Sequence, residues 1–187
     1  MATETDGWIQ TFTGRKFYPL DPDWQRIDIH DIAHALSNLC RYGGHVEQFY
    51  SVAQHSVFVS RVCAPEDALW GLLHDASEAY LVDLPRPIKR QMPTYREAEE
   101  RLQFAIGRTF NLPLTIPASV MRADNVLLVT EQRDLMKVPP EPWTDYKVSP
   151  LEGRIEPLSP ADAKRLFLKR FDELVVIPKL AVELGVV

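Results

Sequence analysis

The chain has 187 residues, 45% of them hydrophobic, and 26 acidic against 21 basic side chains give a formal charge of −5. That length suits one domain with a real core, and the acidic balance excludes a broad electrostatic footprint for duplex nucleic acid, so no stable nucleic-acid partner is expected. No run approaches the roughly twenty apolar residues that span a bilayer, and MATETDGWIQ carries no leader pattern, so a soluble protein with no membrane association is expected. Cys40 and Cys63 fall in apolar helical segments rather than a loop framework and read as reduced thiols, which fits a cytoplasmic location.

Trp8 to Tyr18 holds two alternating sets, Trp8, Gln10, Phe12 and Ile9, Thr11, Thr13, ahead of Gly14, which predicts a small hairpin. The PLDPD segment then forbids helix until DIHDIAHALSNLCRYGG, where Ile29, Ile32, Ala33, Leu36, Leu39 and Cys40 share one apolar face. This predicts a first helix that ends at Gly43 and Gly44 and carries Arg41 and Tyr42 in its last turn. Tyr50 to Val62 is apolar with β-branched valines that suit a strand as well, and helix is the reading adopted. Pro65 opens a helix running from Ala68 to about Tyr80, and the next stretch, DLPRPIK, breaks at its prolines.

Beyond it, Tyr95, Ala98, Leu102, Ala105 and Ile106 predict an amphipathic helix from Thr94, and Pro117 opens a longer one with a stripe of Val120, Leu127, Leu128 and Leu135. Residues 138–157 hold a cluster of prolines and read as an irregular surface excursion able to act as a lid. Ser159 and Pro160 cap a final helix over 159–176. The fold class is therefore all-α: a single helical bundle spanning 1–187, with a small N-terminal β-hairpin excursion and a core of about 28–136.

Several of these apolar faces carry polar groups whose burial costs several kcal/mol unless a partner or ion compensates. They are His55, His74, Asp75 and Asp124. On one continuous helix His74 and Glu78 lie one above the other, with Asp75 on the same side. Two imidazoles and two carboxylates suit one divalent ion such as Mn, Co, Zn, Fe, Ni or Mg, and four protein ligands leave positions open for water and substrate.

The order His, adjacent His-Asp, distant Asp resembles the HD-domain metal-dependent phosphohydrolases. The run HDASEAYLVDLPRPIK looks especially like their 5'-deoxynucleotidase branch, over about residues 41–131. The resemblance implies an HD-domain bundle, His55, His74, Asp75 and Asp124 as metal ligands, and Glu78 and Asp83 handling the attacking water and its proton. It also implies Arg41 and Lys89 as phosphate contacts and Tyr42 as a sugar or base contact, where the best-known bacterial members have tryptophan. The implied activity converts a deoxynucleoside monophosphate to nucleoside plus phosphate, in a homo-oligomer. The alternatives are a deoxynucleoside triphosphate triphosphohydrolase and a non-catalytic nucleotide sensor on the same fold.

Three further features read as structural. HDIAH, from His30 to His34, mimics a zinc-binding helix with a carboxylate one methylene short, and His34 reads as packing. His45 reads as a solvated loop imidazole, and Trp8, Phe12, Phe17 and Tyr18 as a packing cluster. Asp124 has a bland reading too, as a carboxylate paired with Arg122 or Arg133.

Overall fold

In the computed structural model, residues 7–143 and 147–176 are described. The first six residues, residues 144–146 of the Pro-rich excursion and the C-terminal 177–187 lie outside the described residues. The expected hairpin is present: β1 (Ile9–Gln10) pairs antiparallel with β2 (Lys16–Phe17), Ile9 opposite Phe17, with Gly14 at φ 80° in the turn.

Helix α1 (Ile29–Asn38) is capped by Asp28, whose carboxylate accepts from the His30 N–H. The HDIAH run now has a purpose. Buried Asp31 accepts from the Thr13 backbone N–H (2.7 Å) and hydroxyl (3.0 Å), and His34 stacks on Phe12 at 3.8 Å, so the two residues staple the hairpin to α1. Of the expected aromatic cluster, Phe17 enters the core while Trp8 and Phe12 stay exposed.

The remaining helices are α2 (Val52–Val62), α3 (Ala68–Leu73), α4 (Arg86–Lys89), α5 (Pro93–Thr109), α6 (Ala118–Leu135) and α7 (Pro160–Phe171). Helix α2 runs through the middle, packed by α1, α3, α6 and α7. One core cluster gathers Ile32, Leu36, Val57, Leu72, Leu73, Leu102, Ile106 and Phe167 on one side of it, and a second gathers Tyr50, Val59, Trp70, Val120, Leu127 and Leu135. Because α2 is covered nearly all round, its sequence lacks a polar face, which is why its helical period was ambiguous. Its buried polar groups are all partnered: Ser56 donates to the Val52 carbonyl, Ser60 to the Ala68 carbonyl, and Gln54 bridges the Glu156 carbonyl and the Leu158 N–H. Gly71 lets α3 approach α2 closely, since a Cβ there would stand 2.8 Å from Cys63 Sγ and 2.9 Å from Ser60 Cα.

Two predicted helices are shorter than their sequences suggested. Helix α3 stops at Leu73, because His74 Nδ1 donates to the Gly71 carbonyl (2.8 Å) and Gln103 to the Leu73 carbonyl (3.0 Å). A 3-10 turn at Ala76–Ala79 follows, so Glu78 is not stacked one helical turn above His74. Helix α1 likewise stops at Asn38, where Ser37 and Asn38 donate back to the Ala33 and His34 carbonyls. The chain then runs extended beside Ser51 before a 3-10 turn at Arg41–Gly44. Arg41 and Tyr42 thus belong to a separate turn rather than to the last turn of α1.

Helix α4, after Pro85, sits where only a proline break was expected. The Pro-rich excursion is irregular as expected, but its second half is strapped down. Arg133 donates to the Leu151 and Gly153 carbonyls, Thr130 Oγ1 accepts from the Leu151 N–H, and Asp134 accepts from the Ile155 N–H. Ser159 caps α7 and accepts from the Asp162 N–H, with Pro160 at the first helical position. Among the described residues no helix is long and apolar enough to cross a membrane.

Candidate metal centre

Four elements deliver the centre: α2 brings His55, the break after α3 brings His74 and Asp75, α6 brings Asp124 and Glu131, and the 3-10 turn brings Arg41 and Tyr42. One donor atom each from His55, His74 and Asp124 lies within 4.8 Å of the others. His55 Nε2 stands 3.3 Å from His74 Nε2 and 3.2 Å from Asp124 Oδ1, and His74 Nε2 is 4.0 Å from that oxygen. Asp75 Oδ2 is 3.3 Å from His74 Nε2 and 3.7 Å from His55 Nε2.

These spacings fit an ion, since two donors each about 2.1 Å from a metal and at right angles stand about 3 Å apart. The outer bonds of the imidazoles agree. His55 Nδ1 donates to Glu131 Oε1 at 2.6 Å and His74 Nδ1 to the Gly71 carbonyl. If both rings were neutral, these outer bonds would aim the two Nε2 lone pairs at each other, an arrangement that a proton or a metal cation between them relieves. The group could hold a metal ion. Side-chain exposure of 0% for His55 and 8% for His74, against 21% for Asp75 and 29% for Asp124, shows that the centre opens to solvent on its carboxylate side.

The bland reading of Asp124 does not hold among the described residues, because Arg133 turns to Asp134 and Asp124 turns to His55. Its pKa falls: burial would raise it, but the hydrogen bond and charge of His55 dominate, followed by His74. Asp75 is also held low despite burial, by His74, His55 and Arg41. In return, burial opposes charge on His74, yet Asp75 and Asp124 raise its pKa to about 9. Without a cation the two carboxylates draw protons onto the imidazoles, which is the charge an ion would supply.

Glu131 is the residue that sequence reasoning missed. Fully buried seven positions after Asp124, it accepts from His55, from Arg41 Nε (3.2 Å) and from the Tyr42 hydroxyl (2.6 Å). Burial would raise its pKa, but Arg41 and His55 bring it down to about 2. The available signal was its place on the inward face of α6, two turns beyond Asp124. Arg41, which the resemblance implies as a phosphate contact, also donates to Asp75 Oδ2 at 3.2 Å, so one guanidinium spans the carboxylates of Asp75 and Glu131.

Glu78, Asp83 and Lys89 lie at a second corner. Lys89 pairs with Asp83 and with Glu99 (2.8 Å), so among the described residues Asp83 makes its ion pair there rather than with the candidate ligands. Glu78 connects the two corners electrostatically. Burial, then the negative charges of Asp75 and Asp83, push its pKa well above the carboxylate range.

Fold and site together define an all-α protein with a His/Asp cluster able to hold a metal ion. The chain belongs to the family of the Escherichia coli K12 protein named "Uncharacterized protein YfdR", with 39% identity over 176 residues, 93% of this chain and 99% of that protein. It is also similar to "Uncharacterized protein RCAP_rcc00048" of Rhodobacter capsulatus, 36% identical over 126 residues, 62% of this chain and 64% of that protein. No family model matches the chain.

Proposed function

We propose that this protein is a metal-dependent phosphohydrolase of the HD-domain type that converts deoxynucleoside 5'-monophosphates to nucleoside and phosphate. One observation carries the reading: two buried imidazoles aim their Nε2 atoms at one point, 3.3 Å apart, beside Asp124 and Asp75 at the solvent-facing rim. His55, His74, Asp124 and Asp75 would hold the divalent ion. When bound, that ion supplies an acidified water and charge for a phosphoryl oxygen.

The chain's own groups supply the rest. Glu131 locks the His55 tautomer and ring angle. Arg41, spanning Asp75 and Glu131, brings a buried guanidinium to the rim, where it meets charge on the phosphoryl oxygens. Glu78, whose pKa is raised by burial and by the charges of Asp75 and Asp83, is suited to give a proton to the departing 5'-oxygen, and Asp83 shares that corner. Of Lys89, Arg86, Arg90 and Arg96, the cations suited to a longer phosphate chain, Lys89 is engaged by Asp83 and Glu99, which weighs against a triphosphate.

The test is phosphate release from deoxy- and ribonucleoside mono- and triphosphates with each divalent ion in turn. Inorganic phosphate from the monophosphates supports the proposal. Triphosphate release moves the assignment to a triphosphohydrolase, and nucleotide binding without turnover moves it to a sensor.

A further inference from the structure

We propose that the ring of Trp143, from the Pro-rich excursion, is the aromatic face on which the planar base of the substrate stacks, with Tyr42 flanking it, making Trp143 a specificity-determining residue. This rests on the phosphohydrolase reading and extends it to the substrate's far end. The two rings lie 5.9 Å apart between centroids and tilted by 49°, and both are half-buried beside the exposed Gly43, Gly44 and His45.

Three observations support a ligand surface. Trp143 is near the site although the chain just before it, from Pro140 to Pro142, is exposed. Tyr42 adopts φ 56°, a left-handed conformation that glycine or asparagine would occupy at lower cost. Its ring is therefore placed against local preference, with its hydroxyl on Glu131 and the Arg41 guanidinium 5.3 Å from its centroid. Finally, a chain of contacts links the candidate metal centre to the pair, from Asp75 to Arg41, from Arg41 to Tyr42 and from Tyr42 to Trp143. A nucleotide has the same order: phosphate at the ion and guanidinium, then a pentose, then a flat base. Stacking accepts any base, so this surface selects for a base without reading its hydrogen-bonding edge.

The experiment compares wild type, Trp143→Ala and Trp143→Phe with deoxynucleoside 5'-monophosphates and with 2-deoxyribose 5-phosphate, which lacks the base. Trp143→Ala is expected to raise KM for the nucleotides about tenfold. It should leave kcat, metal content, melting temperature and hydrolysis of the base-free phosphate unchanged, and Trp143→Phe should recover most of the loss. Unchanged nucleotide KM, or an equal loss on the base-free phosphate, overturns the inference. Calorimetric binding of a nucleoside 5'-monophosphate separates the two readings. If wild type binds but does not turn over, the phosphohydrolase reading fails, while about tenfold weaker binding by Trp143→Ala still supports stacking and equal binding overturns it. No binding by wild type overturns both.

Discussion

Two corners of this molecule hold the same chemistry, a cation between two carboxylates, in opposite surroundings. Arg41 between Asp75 and Glu131 lies inside the helical bundle, with Glu131 fully covered. Lys89 between Asp83 and Glu99 lies near the surface, with Asp83 nearly half exposed. In the first, each group loses water on folding and depends on its partners. In the second, water can replace either partner. The inner network can therefore fix the angle of the His55 imidazole, whereas the outer one joins α4 to α5 and remains adjustable.

Perturbing the inner corner gives the largest effects. Asp124→Ala is expected to abolish bound metal and lower phosphate release by about a thousandfold or more, read by elemental analysis and phosphate assay. Glu131→Ala leaves Arg41 buried with one partner fewer and should destabilise the fold by about 3–5 kcal/mol in urea unfolding. Glu131→Gln, closer in shape, should fold but bind metal about 10–100-fold more weakly, because His55 loses its orienting carboxylate. Gly71→Ala pushes α3 off α2 beside His74 and should cost about 1–3 kcal/mol.

The outer corner should respond much less. Lys89→Met is expected to change stability by no more than about 1 kcal/mol with metal content intact. A loss comparable to that of Glu131→Ala would erase the distinction between the corners.

The smallest effect belongs to a third charged contact, where Lys164 sits 3.5 Å from His34 Nδ1. Burial and then Lys164 lower the His34 pKa below 6.5, against Asp31. A histidine with a depressed folded pKa contributes stability that is present above pH 6.5 and lost as pH falls through its folded value. The His34 contribution to stability should therefore fall between pH 7 and 5, opposite in sign to that of His74, whose raised pKa adds stability as pH falls. Lys164→Met should raise the His34 pKa, followed by NMR titration, and flatten that drop.

Much of this was legible in the sequence because apolar spacing and caps are local signals. The helices containing Leu102, Leu127 and Phe167 follow their apolar stripes, Ser159 and Pro160 mark the start of α7, and the alternation around Phe12 marks the hairpin. His55, His74 and Asp124 stood out as polar interruptions of such stripes, and the structure brings them together with Asp75. The helix ends at Leu73 and Asn38 were not legible. The end at Leu73 depends on side chains capturing carbonyls, in one case from Gln103, thirty residues away. Glu131 was hidden for a related reason: between Thr130 and Gln132 it looks like one of many helix-surface acids, and only the packing of α2 against α6 turns it inward. The ion pairs of Lys89 with Asp83 and Glu99 were not legible either, because a lysine's partners are set by tertiary structure.

The most direct test is to strip the protein with a chelator, titrate back divalent ions, and measure bound ion and phosphate release from a deoxynucleoside monophosphate on the same sample. The account predicts one ion per chain, with phosphate release rising in proportion to occupancy and both lost in Asp124→Ala. Full turnover by the stripped protein, or ion binding that Asp124→Ala leaves untouched, would contradict it.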